Sequence, residues 1–505
     1  MFRIFGPPGT GKTTTLLNIV DSALESGTSP NEIAFLAFTK KAANEAKIRA
    51  SEKFKLDPEK DLTYFRTIHS LALSMTDIRT EQIMQEENYK ELSDITGVNI
   101  MGKNVSGFED NVLDITKANH PILGLINLAR LKKTDLRTEY NFSNLEDDWN
   151  TVNYVSKTLI DYKNKFNFFD FTDMLELFIK DADKYCPKFA LTFLDEAQDL
   201  SPLQWDIAHI LDKKSHKMYC AGDDDQAIYR WAGADVEQFI SLDGGSETLS
   251  QSYRVPKAVW FLAYKISRRI RGRFPKQYKS SERLGCVRRI TSVSELNMDE
   301  GSWLILAQAG YHLQPVAQDL KGSGYLFSYK GTKSIPEKIM QAVNGWEQLR
   351  KGKEVSGDIA RKIYGFMSVK TRITRGFKKL SGLDDTDFVN LQALQDQHGL
   401  LATIDMIWHD AMDKLPETDR AYIVAMLRRG EQFNKEPRIS VSTIHGSKGG
   451  EADNVVIFTD LSPAADHDMN LNPDDVHRLF YVAVTRTKEN LYLVDSEDVT
   501  RSYDL

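Results

Sequence analysis

The sequence predicts an α/β protein built from two domains with parallel sheets, each carrying a mainly helical insertion. Three observations point there. Short apolar runs rich in β-branched and aromatic residues alternate with helical patterns, the signature of buried parallel strands joined by helices. These runs fall into two groups, before and after about residue 248. Two long stretches, near 75–165 and 333–435, lack such runs and read as polar and helical.

In chain order the strand candidates of the first group are FRIF (2–5), IAFLAFT (33–39), LTFLDEA (191–197) and MYCAGD (218–223). Those of the second are WLILAQ (303–308), ISVSTIH (439–445), NVVIFTDL (454–461) and NLYLVD (490–495). At 505 residues the chain exceeds what one core usually supports. The expected partition is 1–74 with 166–248, interrupted by 75–165, then 249–332 with 436–505, interrupted by 333–435. The second insertion carries a basic run, KTRITRGFKK (370–379), and an amphipathic TDRAYIVAMLRR (418–429).

Hydrophobic residues make up 41% and charged residues 27% of the chain, an ordinary globular composition. The net charge of −7 argues against a protein that coats nucleic acid with its whole surface, though not against a local basic groove. Cys186, Cys220 and Cys286 are scattered, with no C-x-x-C pair, which argues against a disulfide framework, a zinc site or an iron–sulfur cluster and fits a reducing, cytoplasmic compartment. No apolar run has the length of a membrane span, and the N-terminus reads as a strand rather than a signal peptide.

The strongest local signal is GPPGTGKT, from Gly6 through Pro7, Pro8, Gly9, Thr10, Gly11 and Lys12 to Thr13. Its small residues let backbone N–H groups wrap a phosphate chain, Lys12 can reach the β and γ phosphates, and the Thr13 hydroxyl can bind Mg²⁺. TTTLLNIVDSAL follows at helical spacing, so a helix dipole would favour the anion. LTFLDEAQD supplies a second part: an apolar strand delivers Asp195 to hold Mg²⁺ through water and Glu196 to polarise the attacking water. A GTPase base-reading motif is not matched, because Asn164, Lys165 and Phe166 are followed by Asn167 rather than Asp.

These motifs, with FTKKAANEA (38–46), FRTIHSLAL (65–73), FTDML (171–175), DEAQDLSPLQW (195–205), GDDDQAIYRWAGAD (222–235), LSQSYRVP (249–256), STIHGSKGGEADNVVI (442–457) and HRLFYVAVTRTKENL (477–491), resemble those of the UvrD/Rep-like superfamily 1 DNA helicases, in family order and nearly end to end. The resemblance implies two RecA-like domains and an ATP- and Mg²⁺-dependent motor on single-stranded DNA and tailed duplexes, travelling 3′→5′. Service in replication, repair or recombination, a single-stranded DNA-binding protein as partner and a monomeric state go with that reading, in a prokaryotic or virus-infected cell. It also implies residue roles. Gln226 would sense the γ-phosphate, Arg254 and Arg486 would reach it across the interdomain cleft, Tyr253 would stack on the base and Glu451 would bind the ribose. Phe38, Tyr229 and Trp231 would stack DNA bases, and Thr39, His69, Thr443 and His445 would contact its phosphates. The alternatives are a nucleic-acid-stimulated ATPase that strips proteins or acts on RNA, and a nucleotide-gated loading module. The intact Glu196, Gln226, Arg254 and Arg486 weigh against the last.

Departures from the family pattern carry their own expectations. Thr14 stands where an arginine often follows the loop, and Ala232 where another is common. Family members have a longer stretch before the first strand, with a glutamine that reads adenine, so base discrimination is expected to be weak and dATP or GTP to support turnover. With a short tail after Arg486, no nuclease domain is expected. Finally, residues 257–289 hold eleven Lys/Arg against one acid. Val259, Leu262, Ile266 and Ile270 give this stretch an apolar stripe. Its charges would line a groove or form a solvated face.

Overall fold

The computed structural model describes residues 1–38, 40–100, 121–433, 435–496 and 498–505. Its first sheet is formed by β1 (Phe2–Phe5), β2 (Ile33–Ala37), β3 (Phe65–Thr67), β4 (Phe189–Leu194), β5 (Ser215–Gly222) and β6 (Ser246–Thr248). The order is β3-β2-β4-β5-β1-β6 and every pairing is parallel. Parallel strands must be buried on both faces, and β2 is buried along its whole length. Its core joins Ile4, Leu16, Val20, Phe35, Phe65 and Phe193.

The second sheet contains β7 (Cys286–Ile290), β8 (Trp303–Ala307), β9 (Phe327–Tyr329) and β10 (Thr332–Lys333). A separate pair, β11 (Val355–Ser356) and β12 (Phe388–Val389), lies within the insertion, and β13 (Ile439–Thr443), β14 (Ala452–Phe458) and β15 (Thr487–Val494) complete the sheet. Its order is β10-β9-β13-β8-β14-β15-β7, parallel except for the β9–β10 hairpin. All eight expected strands are present. The short β3, β6, β7 and β9 were missed because three to five residues carry too little apolar pattern to separate from loop.

The insertions differ. In the first, the described part holds helices at Glu86–Thr96, Pro121–Lys132, Leu136–Phe142 and Trp149–Phe166. They close over their own core of Leu92, Ile122, Val152, Val155 and Leu159. In the second, Trp346, Tyr364 and Met426 belong to one continuous core with Ile305, Val441 and Val456 of the sheet. The run 370–379 is irregular rather than helical, and residues 418–429 lie in a helix, Glu417–Arg429.

The chain forms two compact units, Met1–Gly285 with His467–Thr485 and Cys286–Asp466 with Arg486–Leu505. This differs from a boundary near 248. Residues 249–285 are held to the first unit by specific contacts: Ser252 Oγ donates to the Pro8 carbonyl at 2.7 Å, and Phe274 stacks on Phe5 at 4.0 Å. Such contacts leave no trace in hydrophobic periodicity.

Candidate nucleotide and DNA site

Because the first sheet is wholly parallel, the segments leaving its strands emerge at one edge, where ligands of open α/β sheets bind. The phosphate loop follows β1, Asp195 and Glu196 follow β4, and Gln226 follows β5; these three strands are adjacent in the order β4-β5-β1. Gly9 and Gly11 adopt left-handed φ of 70° and 79°, a conformation that costs glycine least. Gly11 caps the helix Lys12–Glu25, so the loop's N–H groups and the helix dipole face one point. Thr10 closes the turn, its hydroxyl donating to the Pro7 carbonyl at 2.8 Å.

Thr13 Oγ1 donates to Asp195 Oδ2 at 2.9 Å, and Lys12 Nζ lies 3.4 Å from Asp195 Oδ1. Lys12 also pairs with Glu196. Burial works against the Lys12 charge, but Glu196 and Asp195 outweigh it and hold its pKa above the usual value. Burial raises Asp195, with Lys12 pulling the other way. Glu196 sits at φ 57°, an unusual conformation for a non-glycine residue. Gln198 Nε2 donates to Glu196 Oε2 at 2.6 Å, while Gln198 Oε1 accepts from the Asp223 N–H at 3.0 Å. Asp223 Oδ2 in turn accepts from Gln226 Nε2 at 2.7 Å. A continuous polar chain thus runs from Lys12 to Gln226. A hydroxyl paired with a carboxylate is a hard-oxygen donor set of the kind Mg²⁺ takes beside substrate phosphates, so Thr13 and Asp195 fit that ion.

The segment 252–254 docks on the loop. Tyr253 N–H donates to the Gly9 carbonyl at 2.8 Å, and a Cβ built on Gly9 would lie 2.3 Å from Arg254 Cβ. Arg254 is therefore beside the phosphate loop, and Tyr253, 71% exposed, presents its ring to solvent. Ser252, fully buried, was not singled out by sequence, although it lies in the quoted LSQSYRVP. Thr14 is exposed, on the first turn of the helix.

The expected base-stacking residues divide. Phe38 and Tyr229 are 7% and 4% exposed and stack on each other at 5.5 Å. As placed they are a buried pair rather than two open platforms, because each ring covers the other. Trp231 is 42% exposed and meets Tyr229 edge-on at 6.4 Å. His69, in the first turn of Ile68–Ser74, has a buried Nε2 without a hydrogen-bond partner, and burial pushes its pKa down to about 4. Its ring is neutral at pH 7, which suits orienting a loop better than pairing with a phosphate. Thr39 lies outside the described residues. In FTDML, Asp173 is engaged by Lys163 at 2.7 Å and caps its own helix with Asp170; the motif builds structure.

Most cations of the basic stretch 257–289 are exposed, as a solvated face would have them, but two turn inward. Lys276 is buried among Asp223, Asp224 and Asp225, and Arg273 forks onto Asp225 at 2.7 and 2.6 Å. Burial lifts Asp224 to about 6, against the pull of Lys276. Val259, Ile266 and Ile270 are buried as the stripe predicted.

In the second unit Arg486 is 2% exposed and donates to the Gly450 carbonyl at 3.3 Å. Glu451 pairs with Lys488 at 2.7 Å. Both precede their strands, β15 and β14, whereas Thr443 and His445 lie at and beyond the C-terminal end of β13. Thr443 Oγ1 accepts from the Gly446 N–H at 3.3 Å.

A glycine loop, an acidic pair and a glutamine turn on adjacent parallel strands define a P-loop protein of RecA-like build. A family model for the UvrD/REP helicase N-terminal domain matches residues 2–245, and one for the UvrD-like helicase C-terminal domain matches 438–494. The chain belongs to the UvrD/Rep-like superfamily 1 helicase family. It is 28% identical over 285 residues to the ATP-dependent DNA helicase PcrA of Bacillus subtilis, covering 53% of this chain and 37% of the relative. It is 26% identical over 247 residues to the ATP-dependent DNA helicase Rep of Buchnera aphidicola, covering 47% and 38%. The aligned stretch thus spans well under half the length of these relatives. Among the described residues no helix is long and apolar enough to cross a membrane.

Proposed function

We propose that this protein is an ATP-dependent DNA helicase that moves 3′→5′ on single-stranded DNA. The observation that carries the reading is the convergence of Lys12, Thr13, Asp195 and Glu196 at one sheet edge, with Tyr253 and Arg254 docked on the same loop. The loop amides and Lys12 bind the triphosphate; Lys12 exchanges its pairing with Glu196 for phosphate oxygens. Thr13 and Asp195 hold Mg²⁺, which when bound neutralises phosphate charge. Glu196, released from Lys12, accepts a proton from the water that attacks the γ-phosphorus, as the bond to the leaving β–γ oxygen breaks. Gln226 orients that water, Arg254 and Arg486 stabilise charge on the transferring group, Tyr253 stacks on the base and Glu451 binds the ribose.

Trp231 stacks on a DNA base, five residues beyond Gln226 on the same turn, so loss of the γ-phosphate is felt at the DNA contact. Thr443 and His445 supply further contacts. The test is ATP turnover with and without single-stranded DNA, followed by strand displacement on DNA and RNA duplexes with 3′ or 5′ tails. DNA-stimulated turnover and displacement from 3′-tailed DNA are expected. Turnover indifferent to DNA would refute the reading; stimulated turnover without displacement would make the protein a translocase; displacement from 5′ tails would reverse the polarity.

A further inference from the structure

Lys276 lies in a stretch whose other charges mostly face solvent, yet its side chain is 0% exposed. Its Nζ is 2.6 Å from Asp224 Oδ1, 2.8 Å from Asp225 Oδ2 and 3.1 Å from Asp223 Oδ1. Around it the segment is pinned at several points. Arg273 forks onto Asp225, the Phe274 N–H donates to Asp224 Oδ2 at 2.7 Å, and the Phe274 ring stacks on Phe5, the last residue of β1 before the phosphate loop. Arg478 Nε donates to the Asp224 carbonyl at 3.0 Å.

A buried ionic cluster is a poor way to gain stability, since desolvation offsets most of the attraction and apolar packing does as well. What it supplies is fixed orientation. Asp223 shows what is being oriented. One carboxylate oxygen faces Lys276 and the other holds the Gln226 amide at 2.7 Å, while its N–H meets Gln198, which bonds to Glu196. The aspartate is therefore a fixed joint between the two groups that would handle the attacking water, and Lys276 is the charge that holds its Oδ1, alongside the Asp225 N–H that donates to the same oxygen at 3.3 Å.

We propose that Lys276 is a positioning residue for ATP hydrolysis, holding Asp223 so that Gln226 and Glu196 are presented in register. The proposal rests on reading the site as an ATPase. Misplacing a reacting group by about 1 Å costs on the order of a hundredfold in rate, whereas Lys12 and the loop that bind ATP are untouched. Lys276→Met in the full chain is therefore expected to lower kcat for DNA-stimulated ATP turnover by about a hundredfold, with KM changed by less than about twofold. In a Gln226→Ala background the same substitution should cause a smaller further loss, because the part that acts through Gln226 is already gone and only the part that runs through Gln198 to Glu196 remains. A merely structural role would instead multiply the two losses and lower the folded fraction.

Should Lys276→Met fail to fold, Asp223→Asn replaces it, since it keeps the shape and an acceptor while removing the charge that Lys276 holds. It is expected to show the same kcat loss and the same non-additivity with Gln226→Ala. Wild-type kcat in the folded variant, or fully multiplicative losses, would overturn the role of Lys276 alone. Absence of turnover in the wild-type protein would overturn the ATPase reading, and this role with it.

Discussion

In the first sheet every candidate residue leaves from the same edge. Phe38 follows β2 and His69 follows β3; Lys12, Glu196, Gln226 and Arg254 follow β1, β4, β5 and β6. Nucleotide and DNA candidates are separated sideways, with β4 and β5 between β1 and β2. Three strand gaps, roughly 14 Å, separate the phosphate loop after β1 from Phe38 after β2; the turn from Gln226 leaves β5 and spans the last two of them, meeting Phe38 through Tyr229. In the second sheet the separation runs along the strands. Arg486 and Glu451 stand before β15 and β14, which are in register at Ala452 and Thr487. Thr443 lies level with Ala307 at the other end. Six residues of register divide the two sets, roughly 20 Å. On the proposed reading, nucleotide state would be conveyed laterally in one sheet, through a buried polar turn, and along rigid strands in the other.

Arg486→Ala should have the largest effect, about a thousandfold or more in kcat, as for arginines that stabilise a transferring phosphoryl group. Steady-state ATPase with saturating single-stranded DNA checks it; a near-normal rate would remove the N-terminal edge of the second sheet from the nucleotide site. Next come the aromatic residues of the first sheet. Phe38→Ala deletes half of a buried pair and should lower stability by about 3–5 kcal/mol, read as a fall in Tm. Trp231→Ala, at an exposed ring, should leave Tm near the wild-type value and weaken single-stranded DNA binding by about 1–3 kcal/mol, measured by fluorescence anisotropy. Matching Tm losses in both variants would erase the distinction drawn between them. Thr443→Ala should weaken DNA binding by about 1 kcal/mol with kcat at saturating DNA unchanged, which separates the two edges of the second sheet.

The smallest effect concerns His69. Its pKa is about 4 in the folded state, because burial disfavours the charged ring, against 6.5 when exposed. The unfolded chain therefore binds the proton first, and stability is full above pH 6.5 and lost progressively as the pH falls toward 4. His69→Gln should flatten that part of the Tm profile relative to wild type. An unchanged profile would mean the ring is solvated.

The legible features were those whose signal is local. GPPGTGKT dictates a phosphate loop because positive φ, small side chains and a following helix are properties of adjacent residues, and β2 is recognisable because burial on both faces demands an unbroken apolar run. The order of motifs was enough to place Arg254 and Gln226 as candidates. The sequence could not show that Phe38 and Tyr229 would cover each other, since an aromatic residue looks the same whether its partner is a DNA base or another ring. Nor could it distinguish Lys276 from the ten other cations of its stretch. A charge is drawn inward only where folding brings a compensating cluster to it, and Asp223, Asp224 and Asp225 lie some fifty residues away along the chain. Local chemistry is written in neighbouring residues; the pairing of buried charges and the exposure of rings depend on which distant segments the sheet order sets side by side.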